Sequence, residues 1–206
     1  MGIGDLFTRL FFGKKNSHFF ASEEKQKSNV MKVANGLVPV MNGTVKERDG
    51  GEEVHVTGEY GGFPARVILN VTFGGAKFEL KTDQACPLFI LMHDEKGREA
   101  YAGDNANKDG WDDDDDDEQK VFVSEHVYFE GDDEELVEMK AFWERFPAEA
   151  KPKLIEKIEE SKGTFVCDST GKLESSTGEG IIGLGDEVAR ARQYLDVLTS
   201  AASGLS

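Results

Sequence analysis

Glu53-Val54-His55-Val56-Thr57-Gly58-Glu59-Tyr60-Gly61-Gly62-Phe63-Pro64-Ala65-Arg66-Val67-Ile68-Leu69-Asn70 is the stretch that decides the fold. Val54 and Val56 stand two residues apart, as do Val67 and Leu69, with polar residues between them over most of the stretch. A period of two places one side-chain set on each face of a pleated strand, so the pattern predicts half-buried strands. The pair Gly61-Gly62 falls where the chain must reverse, which predicts an antiparallel hairpin.

Working outward, the same spacing is read from Leu37 onward in Val38 and Val40, and later in Val71, Phe73, Phe78 and Leu80. Further reversals are predicted at Asp49-Gly50-Gly51 and Gly74-Gly75. Leu88 to Met92 is fully apolar and suits a central strand. Val121 to Val123 and Val127 to Phe129 resume the sheet. After Gly131 the period becomes helical: Asp132 or Asp133 caps a helix carrying Leu136, Met139, Trp143 and Phe146, ended by Pro147. A second helix spans roughly residues 148 to 162, and a hairpin of Thr164 to Cys167 with Lys172 to Glu174 follows. The last helix aligns Val188, Ala191, Leu195, Leu198 and Ala202 on one stripe.

Strands first and helices afterwards predict an α+β fold. It is an antiparallel β-meander of roughly five to seven strands, with the C-terminal helices on one face and an amphipathic helix at the N-terminus. The predicted organisation is an N-terminal arm over residues 1–36, with a helix from Ser22 to about Asn35-Gly36, and an α+β domain over residues 37–206. That domain carries a disordered acidic loop at 103–119.

A chain of 206 residues with 38% hydrophobic content and 14 Phe is able to build a substantial core. The formal charge is −16; seven of those charges sit in Asp112 to Glu118, and the remainder is still acidic. A field of that sign repels phosphate backbones, so nucleic acid is not an expected partner. Cys86 and Cys167 lie among apolar neighbours and are predicted to be buried thiols. No run approaches the roughly 20 apolar residues needed to span a bilayer, and residues 1–16 lack the pattern of a secretory signal, so a cytoplasmic address is expected.

Four segments call for a chemical reading. Ile3, Leu6, Phe7, Leu10 and Phe11 recur at helical spacing, with Asp5, Thr8 and Arg9 opposite them. They are the expected partner-binding residues, for a protein partner or for self-association. Peripheral membrane attachment through residues 3–15 is the weaker use of the same stripe, because the acidic body opposes the anionic head groups that Arg9, Lys14 and Lys15 would meet.

The second segment partly matches a calcium loop: Asn105, Asn107, Asp109 and Gly110 occupy its first, third, fifth and sixth places and Asp116 its twelfth. Asp104, Asn105, Asn107, Asp109 and Asp116 are the candidate ligands of a calcium-binding module, and calcium is the one cofactor suggested. Asn at the first place and Asp at the twelfth depart from the motif.

Third, Gly178, Gly180 and Gly183 spell G-x-G-x-x-G before the last helix. No buried strand precedes them and Glu179 would face the phosphates, so a nucleotide site is rejected. His93 beside Asp94 and Glu95 is the one histidine cluster of interest. It matches no catalytic motif, and the chain is expected to act by binding, as an adaptor or assembly component, and not as an enzyme.

Overall fold

The computed structural model describes residues 23–99 and 119–205. The expected amphipathic helix over residues 3–11 and the acidic loop therefore lie outside the described residues.

Helix α1 (Glu23–Met41) buries Val30, Val33, Ala34, Leu37 and Met41. Leu37, Val38 and Val40, read from their spacing as the start of the β region, belong to this helix. Gly36 does not stop it, because glycine is required there for another reason. A Cβ at this position would lie 2.6 Å from Val188 Cγ2, so any side chain here would force the Val188 methyl to shift. The helix ends one turn after Gly36, where Asn42 takes a positive φ of 46° and the Gly43 N–H donates to the Val38 carbonyl at 3.0 Å.

Nine strands follow: β1 (Thr44–Arg48), β2 (Glu53–Tyr60), β3 (Phe63–Asn70), β4 (Ala76–Lys81), β5 (Phe89–His93), β6 (Gln119–Phe122), β7 (Val127–Gly131), β8 (Thr164–Cys167) and β9 (Lys172–Ser176). They form one antiparallel sheet in the order β1-β2-β3-β4-β9-β8-β5-β7-β6. The sheet thus exceeds the expected five to seven strands, and it is not a simple meander. Its C-terminal hairpin β8–β9 inserts between β4 and β5 and joins two smaller antiparallel units.

The β2–β3 hairpin turns on Gly61 and Gly62, both at positive φ (59° and 87°), between the paired residues Tyr60 and Phe63. Such a turn matches the twist of the flanking strands and strongly favours glycine. Val71 and Phe73, read as strand residues, lie instead in the turn after β3. The Asn70 side-chain oxygen accepts the Phe73 N–H at 2.8 Å, which closes the turn and leaves Phe73 71% exposed.

Helix α2 (Asp133–Arg145) starts in a reciprocal cap: Asp132 accepts the Glu135 N–H, and the Glu135 side chain accepts the Asp132 N–H. Helices α3 (Ala150–Ser161) and α4 (Glu187–Leu205) complete the layer.

Register shows which sheet face these helices cover. Val54, Val56, Val67, Leu69, Phe78, Leu80, Leu173, Phe165, Phe89, Leu91, Val127 and Phe129 share one face and one core. Phe78 stacks on Tyr194 of α4 at 4.6 Å, Phe89 meets Phe142 of α2 at 5.2 Å, and Phe165 meets Phe146 at 5.8 Å. The result is a two-layer α+β fold with one sheet face covered by α1, α2, α3 and α4 and an opposite face that, among the described residues, these helices leave open.

Candidate functional site

The open face divides into two regions. Over β2, β3, β4 and β9 the outward residues are mostly polar: Glu53, His55, Arg66, Lys77, Glu79, Lys172 and Glu174. Register sets Glu79 directly opposite Glu174, a like-charge pair that would destabilise the sheet if left alone. Three cations resolve it. Arg66 Nη2 lies 2.5 Å from Glu79 Oε2, and Lys77 and Lys172 each place Nζ 2.9 Å from a Glu174 oxygen. Burial pushes the Glu174 carboxyl up, but the two ammonium groups outweigh it and hold the group below the usual carboxylate range. His55 Nε2 is 2.8 Å from Glu53 Oε2 on the same face.

Over β8, β5 and β7 the outward residues are Thr164, Val166, Ile90, Met92, Tyr128 and Glu130, beside Phe122 of β6, whose ring lies 5.4 Å from that of Tyr128. Val166, Ile90 and Met92 are half-buried, although the helices of the described residues lie on the other face. Lys120 Nζ sits 4.3 Å from the Tyr128 ring centre and 3.0 Å from Asp94 Oδ2. The Lys120 ammonium is the main reason the Asp94 carboxyl titrates below its ordinary value, against a smaller burial effect. The sequence signal for this region was the unbroken apolar run Leu88 to Met92; its extension onto β8 and β7 depends on strand neighbours that local spacing does not reveal.

At the end of β5, His93 stacks on His126 with ring centres 5.6 Å apart, and His126 Nδ1 is 3.1 Å from the Asp94 carbonyl oxygen. The Asp94 side chain faces Lys120 and the Lys96 N–H, so it orients neither imidazole. The glycine-rich loop is closed by this chain's own carboxylate: Glu187 Oε1 accepts the N–H groups of Gly183 at 2.9 Å and Gly185 at 3.3 Å. It occupies the place an anion would take at the start of α4, and backbone N–H donation, its own first, holds its carboxyl below the usual range. Glu179 pairs with Lys162 at 3.0 Å.

Cys86 and Cys167 are buried and unbridged, and burial raises both thiols. Among the described residues no group of three or more His, Cys, Asp or Glu could hold a metal ion, and no helix is long and apolar enough to cross a membrane. The expected partner-binding residues Ile3, Leu6, Phe7, Leu10 and Phe11, and the candidate calcium ligands Asp104, Asn105, Asn107, Asp109 and Asp116, lie outside the described residues.

No protein-family model matches the chain, and no curated protein matches it. Among solved structures it is similar to the mycobacterial trehalose monomycolate transport factor A, TtfA, at 9% identity and a TM-score of 0.46, with 85% of this chain and 95% of that one covered.

Proposed function

We propose that this is a non-enzymatic binding or assembly protein of the cytoplasm, whose residues Ile3, Leu6, Phe7, Leu10 and Phe11 form the apolar stripe of a helix that attaches to a protein partner or to another copy. The observation that carries this reading is the helical spacing of those five large apolar residues, beside a core that the described residues already build between the sheet and α1, α2, α3 and α4. Each large apolar side chain buried in a partner groove contributes about 1.5 to 3 kcal/mol before ordering costs, enough for reversible attachment by five of them. Two buried, unbridged thiols accord with a reducing compartment.

Deleting residues 1–15 tests the reading. Sedimentation velocity should show that self-association or partner binding is lost, while the thermal transition of the remainder stays within a few degrees of the full chain. A remainder that fails to fold, or that assembles as before, would overturn it.

A further inference from the structure

The two regions of the open face differ in a way that names a missing layer. A strand with one solvated face alternates apolar and polar residues, as Lys77-Phe78-Glu79-Leu80-Lys81 does in β4. The run Phe89-Ile90-Leu91-Met92 in β5 does not alternate; neither does Phe165-Val166-Cys167 in β8 or Val127-Tyr128-Phe129 in β7. Of these three neighbouring strands β5 is apolar on both faces from Phe89 to Met92, and β8 and β7 add Val166 and Tyr128 beside it, with Thr164 and Glu130 bordering the same patch.

We infer that the outward side chains Val166, Ile90, Met92 and Tyr128 seat the chain's own residues 3–11, so that the binding arm is masked on its own sheet until a partner takes it. This rests on the proposed role of residues 3–11 as an apolar binding helix and adds its regulation.

Reach, size and charge all point to that occupant. The described chain begins at Glu23, and the first turn of α1 is tied down by Gln26 donating to the Thr72 carbonyl and by Lys27 Nζ at 2.7 Å from Glu47. Following the register from the β3–β4 turn through Lys77, Ser176, Thr164, Met92 and Tyr128 shows that Met92 and Tyr128 lie at this same end of the sheet. From β3 to β5 is four strand spacings, about 19 Å, and residues 12–22 span up to about 36 Å when extended, enough to pass round the sheet end. A helix over residues 3–11 is about 13 Å long and matches the width of three strands.

Residues 1–22 carry Asp5 against Arg9, Lys14 and Lys15, a side-chain charge of +2, while the whole chain is −16, so the arm is drawn to its own body. Tethering adds an effective concentration in the millimolar range, which a free partner must exceed.

Paired cysteines test this in the full chain: Leu6→Cys with Met92→Cys, treated with a short bifunctional maleimide at high dilution and read by non-reducing electrophoresis and peptide mass mapping. A bridge between residues 6 and 92 within one chain is the expected product. A bridge only between chains would place the arm on a second copy, overturning the inference while leaving the assembly reading intact. The absence of any bridge would overturn it in favour of a foreign partner or a lipid surface. Limited trypsinolysis supplies an independent readout. Cleavage after Lys14 or Lys15 should accelerate about tenfold in the Ile90→Asp, Met92→Asp double variant, as expected when a protected segment is released. Equal cleavage rates in the two proteins would overturn the inference. Failure of the function proposal itself is read separately, from the assembly of the chain lacking residues 1–15.

Discussion

The half of the sheet built from β1 to β4 with β9 and the half built from β8, β5, β7 and β6 share one core but meet the outside differently. In the first, the outward face is a charge ladder in which Glu79 and Glu174, set opposite each other by register, are held by Arg66, Lys77 and Lys172. That face is satisfied without a further layer. In the second, the outward face carries the half-buried Val166, Ile90 and Met92 and the buried Tyr128. A single sheet thus carries a charged, ion-paired surface and a more apolar one side by side, and the composition of individual strands tells them apart.

The largest effect expected from testing this contrast lies beneath the apolar half. Phe89 touches the rings of Phe129 and Phe142 at 5.2 Å and Trp143 at 5.8 Å, so Phe89→Ala should cost about 3 to 5 kcal/mol in denaturant unfolding. A cost under about 1 kcal/mol would mean that this half adds little to the common core.

Next comes the charge ladder. Glu174→Gln removes the carboxylate that Lys77 and Lys172 share, with an expected loss of about 1 to 2 kcal/mol at neutral pH. The Glu174 carboxyl is held below its ordinary value of 4.5 in the folded protein. Its contribution is therefore complete above that value and is lost as pH falls through the lower, folded one. Chemical unfolding followed across the acid range should show a shallower loss of stability in the variant than in the parent. An unchanged slope would show that the ladder is not what makes this half self-sufficient.

The smallest expected effect separates the two outward surfaces. Met92→Thr should change stability by no more than about 0.5 kcal/mol in the chain lacking residues 1–15, where its side chain stands on an uncovered face, and by about 1 kcal/mol or more in the full chain. Equal effects in the two backgrounds would indicate that no part of residues 1–15 lies over β5.

Much of this architecture is legible in local spacing. Val54, Val56, Val67 and Leu69 mark β2 and β3, Gly61-Gly62 marks the turn between them, and Asp132 or Asp133 marks the start of α2, because each signal involves groups within a few residues of one another. The errors have an equally physical origin. Val38 and Val40 have the spacing of a strand, yet α1 continues through them because Gly36 permits contact with Val188, a partner roughly 150 residues away in sequence. Phe73 has strand spacing but lies in a turn closed by Asn70. In the glycine-rich loop the sequence argument against a nucleotide rested on Glu179 and on the lack of a buried strand before the glycines, whereas β9 is such a strand and the carboxylate that fills the anion position is Glu187.

Alternation, turn chemistry and capping were enough to determine that this chain builds antiparallel strands followed by helices, because those preferences act between near neighbours and need no knowledge of the rest of the molecule. Only the tertiary structure decided that β8 and β9 lie between β4 and β5, and hence that Val166 stands beside Ile90 and Glu174 beside Glu79. Strand order depends on which buried faces complete one another across more than a hundred residues, and no local preference encodes that distance.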